Sequence, residues 1–148
     1  MNLIRGRFDI DDVAQQAVGG LLVGGPFIVT EEVWTIAEQM SIYNILSTLA
    51  IVLITGYGIL YVAVLRDPDV EATVIGIVPL RLISLVLIAY LSGIIVAFSI
   101  GAPDVFTESN NITEIAWITF KASTTVSVFT VIGAGTVDSV FGDPEQKE

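Results

Sequence analysis

The chain has 148 residues, of which 53% are apolar and only 15% charged, and its mean hydropathy is +0.80. A soluble domain carries about 25% charged residues, so this chain has too little polar surface to cover a globule in water; a disordered chain, a nucleic-acid binder and an ordinary cytosolic enzyme are excluded. Cys and His are both absent, which removes disulfides, thiolate nucleophiles, ordinary zinc sites and imidazole acid–base chemistry.

What is left is an all-α integral membrane protein, a single domain over residues 1–148. The formal net charge is −10, from 16 Asp+Glu against 6 Lys+Arg. With most apolar residues in lipid, these charges crowd onto short wet segments that repel anionic lipid and nucleic acid. Dense carboxylates hold water and cations in concentrated salt, and a chain with two lysines fits a halophilic, archaeal source.

A bilayer core of about 30 Å takes roughly 20 apolar helical residues. Four stretches meet that length: residues 13–34, 41–65, 72–100 and 113–141, with short connections at 35–40, 66–71 and 101–112. Transmembrane strands need segments of about 10 residues with alternating polarity. The runs LSTLAIVLITGYGILYVAVL and LISLVLIAYLSGIIVAF are too long and too uniformly apolar for that. A cleaved leader is not expected, because Asp9, Asp11 and Asp12 precede the first apolar stretch where a basic n-region would stand. Residues 3–16 read either as an amphipathic surface helix or as a frayed end.

In the first span, Gly20 and Gly24 form a small-xxx-small step that admits a close neighbour. Gly25-Pro26 is expected to break or kink the helix, since Pro26 leaves the Leu22 carbonyl without its helical partner. Such an oxygen in lipid requires protein, water or an ion. Thr30, Glu31 and Glu32 follow, and Trp34 is placed to sit at the outer interface. The two glutamates are read either as a cation-attracting mouth or proton acceptor, or as groups sitting in interfacial water.

The second span carries Asn44, Thr48 and Thr55 in one stripe, more in the manner of helix–helix glue than of a pore lining. In the third, Arg81 lies about nine residues in, or about 14 Å of rise, and must face the bundle or snorkel. Ala89, Gly93 and Ala97 make a second close-packing stripe. The fourth span is the most polar. Lys121 lies about eight residues in, or about 12 Å, beside a row of Thr119, Ser123 and Ser127, and Asp138 follows near the cytoplasmic boundary. By depth, Lys121 is expected to pair with Glu31 or Glu32, and Arg81 with Asp138. Such pairs either fix packing or mark an ion or proton route.

Arg5, Arg7, Arg66 and Lys147 all fall on one side of a four-span chain, so the positive-inside rule puts both termini in the cytoplasm of the cell. Asn111-Ile112-Thr113 is a glycosylation sequon on the outer side, abutting the fourth span, and reads as a chance match.

The stretch GGLLVGGPFIVTEEVW resembles the N-terminal motif of a family of bacterial and archaeal integral membrane proteins known as a domain of unknown function. That motif is a Gly-rich apolar run, a proline, and a Thr-x-Glu-x-Trp ending, matched here by Pro26, Thr30, Glu32 and Trp34. The rest of the chain agrees in hydropathy and helix number. This chain looks like a half-length member, and its GGP replaces the usual apolar-Leu-Pro run. The resemblance implies a multi-span membrane protein and no particular activity. If longer members are fusions of two such units, the short chain is expected to form a parallel homodimer through the glycine faces of its first and third spans.

The function expected is that of an ion channel or ion-coupled transporter subunit, working as a homo-oligomer on an inorganic ion of either sign. The alternative is a structural or accessory subunit of a larger membrane complex. An intramembrane enzyme needs a nucleophile with its base, or a metal set. Lys121 with Ser123 or Ser127 is the one dyad that can be written, and Ser/Thr is common in membrane helices. No catalytic residue, metal or cofactor is assigned.

Overall fold

The computed structural model describes residues 10–66, 74–75 and 78–141. Its helices are α1 (Ile10–Ile28), α2 (Glu31–Gln39), α3 (Ile42–Arg66), α4 (Leu80–Ser99), α5 (Ala102–Phe106) and α6 (Ile112–Phe141). Between α3 and α4 lies a two-residue antiparallel ladder, β1 (Val74–Ile75) with β2 (Val78–Pro79). Apart from that ladder the described chain is all-helical. Among the described residues, α3, α4 and α6 are each long and apolar enough to cross a membrane, and α1 with α2, bent by 83°, forms either one broken span or a re-entrant loop, which makes three or four candidate spans. The basic residues Arg5, Arg7 and Lys147, residues 3–9 of the expected surface helix, and most of the connection at 66–71 lie outside the described residues.

Side-chain contacts give the directions of the helices. Gly19 lies against Gly133 and Gly24 against Val126, so α1 is antiparallel to α6. Gly93 meets Ser123 and Arg81 meets Asp138, so α4 is antiparallel to α6 as well. Gly56 meets Val131 and Ile59 meets Gly135, so α3 runs with α6. The result is an up-down-up-down bundle in which α6 touches each of the other long helices. One apolar cluster sits at the α2–α5 end around Ile28, Trp34, Ala97 and Ala122. A second sits toward the opposite end around Val52, Leu85, Ala89 and Val131. The start of α1 and the end of α6 meet at that opposite end, where Asp12 and Asp138 both bind Arg81.

Two expected spans are corrected. The first does not run from 13 to 34, and it does not break at Gly25-Pro26. α1 continues through Pro26 to Ile28. The turn falls at Thr30, which is extended at φ −98° and ψ 139°. Its N–H and hydroxyl both donate to the Phe27 carbonyl, at 3.1 and 2.8 Å. Residues 31–39, mostly read as connection, form α2, set at 83° to α1.

The third span does not begin at residue 72. Proline disfavours helix in the residue before it, and the β-branched residues Val74, Ile75 and Val78 suit a ladder. Helix α4 therefore starts only at Leu80, and Arg81 stands in its first turn, not nine residues in.

Candidate functional site

Five polar side chains join α1, α4 and α6 at one end of the bundle. Arg81 donates from Nε to Asp138 Oδ2 at 2.7 Å and from Nη2 to Asp138 Oδ1 at 3.0 Å. This fork is the strong geometry for a guanidinium–carboxylate pair. The same Nη2 reaches Asp12 Oδ1 at 3.3 Å. Gln16 donates to Asp138 Oδ2 at 3.4 Å, and Ser84 donates to Gln16 Oε1 at 2.8 Å. Asp138 is only 2% exposed and Gln16 is fully buried. A carboxylate in the last turn of α6 opposes the negative end of the helix dipole, and Arg81 at the same spot reverses that balance.

Arg81 pairs with Asp138 as expected, though from the first turn of α4 and not from mid-span. Gln16 was not singled out, although Asp12 and Gln16 stand at i and i+4 beside the glycine face of α1, a spacing that puts both on one side of the helix.

Lys121 does not pair with Glu31 or Glu32. Both glutamates are exposed in the first turn of α2, where negative charge suits the helix dipole. The 83° bend carries them away from α6 and brings the other end of α2 to Lys121. Lys121 is 6% exposed, and its Nζ donates to the Glu38 carbonyl at 2.9 Å. That carbonyl is among the last four of α2, which have no partner within their own helix. Trp34 faces into the bundle. It is 1% exposed, donates from Nε1 to the Ile28 carbonyl at 2.8 Å, and stacks on Phe106 with ring centroids 5.8 Å apart. Turning α2 across the bundle end is what folds it inward.

Asn44 is a cap and not part of a lining stripe. Its Oδ1 accepts from the backbone N–H and hydroxyl of Ser41, at 3.0 and 2.6 Å, while its own N–H donates to Ser41 Oγ at 3.4 Å. This is the reciprocal pattern of a capping box at the start of α3. Asn111 caps α6 in a similar way, its Oδ1 accepting from the Thr113 N–H at 3.0 Å.

The hydroxyls of α6 turn onto their own helix. Thr119 donates to Ile115 O, Thr124 to Phe120 O, Ser127 to Thr124 O and Thr130 to Val126 O, at 2.6–3.1 Å. Ser123 Oγ is buried against Gly93 and has no hydrogen-bond partner among the described residues. An unsatisfied buried hydroxyl contributes nothing to hold the fold, so Ser123→Ala is expected to leave stability unchanged or raise it by about 1 kcal/mol. Thermal unfolding in detergent checks this, and a clear loss would contradict it.

The small-residue stripes lie inside the bundle. Gly20 and Gly24 face Thr130, Gly93 faces Ser123, and Ala89 and Ala97 are fully buried. These faces therefore hold α1 and α4 to α6 and are not open to a second copy, as the dimer expectation required. A narrow crevice between α1 and α4 is lined by Gly20, Gly24, Ser92, Gly93 and Thr130. Among the described residues, no group of three or more carboxylates is placed to hold a metal ion. Comparison of the chain with protein-family models, with curated proteins and with solved structures gave no match.

Proposed function

We propose that the protein is a four-span cell-membrane protein with cytoplasmic termini, and that it serves as a structural or accessory subunit of a larger membrane assembly. One observation carries this reading: the inward charged groups join helices to one another, and most inward hydroxyls are taken up by their own backbone. Arg81 is held by two carboxylates, Lys121 by a helix-end carbonyl, and the α6 hydroxyls by their own backbone. The outer faces are apolar, as on α3, where Tyr43, Leu46, Ile54, Tyr57 and Tyr61 are exposed. Such faces suit lipid or another membrane helix. With the glycine stripes engaged internally, a parallel homodimer would meet through a face like that of α3. The motif at Pro26, Thr30, Glu32 and Trp34 supports membership of the domain-of-unknown-function family.

The second reading is an ion channel or ion-coupled transporter subunit. It is favoured by the Asp12–Arg81–Asp138 cluster, in which the Arg81 side chain keeps 20% of its surface exposed and so links a buried carboxylate to the outside. The two readings separate in one experiment. Purified protein in proteoliposomes is expected to pass no Na+, K+, H+ or Cl− beyond protein-free vesicles, and mild detergent is expected to bring out a stoichiometric membrane partner. Ion flux that changes in Glu32→Gln or Lys121→Met overturns the first reading in favour of the second.

A further inference from the structure

The link from α1 to α3 is a nine-residue helix, α2, set at 83° to α1. An isolated helix shorter than about 12–15 residues is marginal in water, so α2 keeps its place through what grips it. At its start, Thr30 donates twice to the Phe27 carbonyl. In its middle, Trp34 donates to the Ile28 carbonyl. Both of these bonds return to the last turn of α1. At its far end, Lys121 Nζ donates to the Glu38 carbonyl at 2.9 Å, tying α2 to α6 through a charged hydrogen bond. Thr125 adds a weak contact to Met40 Sδ at 3.7 Å.

The Glu38 side chain is exposed, so the ammonium engages the peptide carbonyl and not the carboxylate. This contact forms only when α2 is helical and in place. An ammonium at the carbonyl end of a short helix stands where a free monovalent cation binds in half-helix sites.

We propose that Lys121 is a tethered cation that latches α2, and that α2 is a strap, joined to α1 through Val29–Thr30 and to α3 through Met40–Ser41, that lifts off the bundle when the ammonium leaves the Glu38 carbonyl. Opening lifts Val33, Trp34 and Ala37 from the apolar cluster that holds Ile118 and Ala122, and bares the ammonium at that end of the bundle.

The chain has no cysteine, so one introduced thiol reports on the strap. Val33 is buried under α2, and Val33→Cys fits its space without overpacking. With Lys121 intact, this thiol is expected to react slowly with a water-soluble maleimide. In Lys121→Met it is expected to react roughly tenfold faster, the order set by losing one charged hydrogen bond at a helix end. Glu38→Gln keeps the carbonyl and is expected to leave the rate unchanged. In Lys121→Ala, added n-propylammonium is expected to slow labelling again, whereas tetramethylammonium, which has no N–H to donate, is not.

Labelling indifferent to Lys121→Met and Lys121→Ala overturns the proposal, and so does release by Glu38→Gln. Should the Lys121 variants fail to fold, amide exchange of the unaltered protein decides. Exchange of residues 31–39 as one block, ahead of α1 and α6, supports the strap, and exchange as slow as the core of α6 overturns it.

Discussion

Arg81→Met is expected to lower the stability of the bundle by about 3 kcal/mol, the low end of what removing one partner of a buried pair does. The low end applies because the arginine side chain keeps 20% of its surface exposed, whereas that of Asp138 keeps only 1%. The loss arises from what remains. Asp138 would retain Gln16 as a donor at 3.4 Å and nothing of opposite charge among the described contacts, and Asp12 would face it across the gap. The companion Arg81→Met/Asp138→Leu removes the stranded carboxylate together with its partner. Replacing a buried pair by apolar residues of similar size is often neutral, so the double variant is expected to recover most of the loss. Thermal unfolding of both in detergent checks the prediction. If Arg81→Met unfolds like the parent chain, the cluster does not hold the three helices.

Gly133→Ala is expected to be at least as damaging. A Cβ there would fall on the Gly19 carbonyl oxygen and on the Val23 side chain, closer than real Cβ atoms approach. The mirror change, Gly19→Ala, would strike the Gly133 carbonyl oxygen. Overpacking typically costs about 1–3 kcal/mol, relieved by side chains that shift. Here the obstacle is backbone on both sides, so α1 and α6 must part, and the expected loss is about 3 kcal/mol or more. Gly58→Ala on α3 is the contrast. Nothing lies within 4 Å of its added methyl group, and the helix gains about 0.5–1 kcal/mol from losing a glycine. Opposite signs for the two glycines, read in the same unfolding assay, are the expected outcome. Equal effects would mean that the α1–α6 contact is loose.

Much of the bundle was legible because long apolar runs leave few alternatives. The apolar stretches at 41–65 and 113–141 fall on the helices α3 and α6, whose ends lie within a residue of them. Arg81 and Asp138 were legible as partners because an inward charge requires one of opposite sign, and few stand near the same level. The partner of Lys121 was not legible, because a backbone carbonyl carries no residue-type signal. Nor was α2, whose nine residues mix polarity and owe their course to the turn at Thr30. The small residues announced close packing, yet a glycine does not say which helix it meets. Gly20 and Gly93 lie on faces that a dimer was expected to use, and α6 covers them within one chain.

The place of α6 at the centre has a consequence for biosynthesis. It follows every other long helix in the sequence, so α1, α3 and α4 leave the ribosome before the surface that all three grip has been made. Until residues 112–141 emerge, the faces at Gly19, Gly24 and Gly93 lack the α6 surface they pack against. Chains stopped short of α6 would expose these small-residue faces to quality control, and the arrival of α6 would join the three earlier helices around one shared surface.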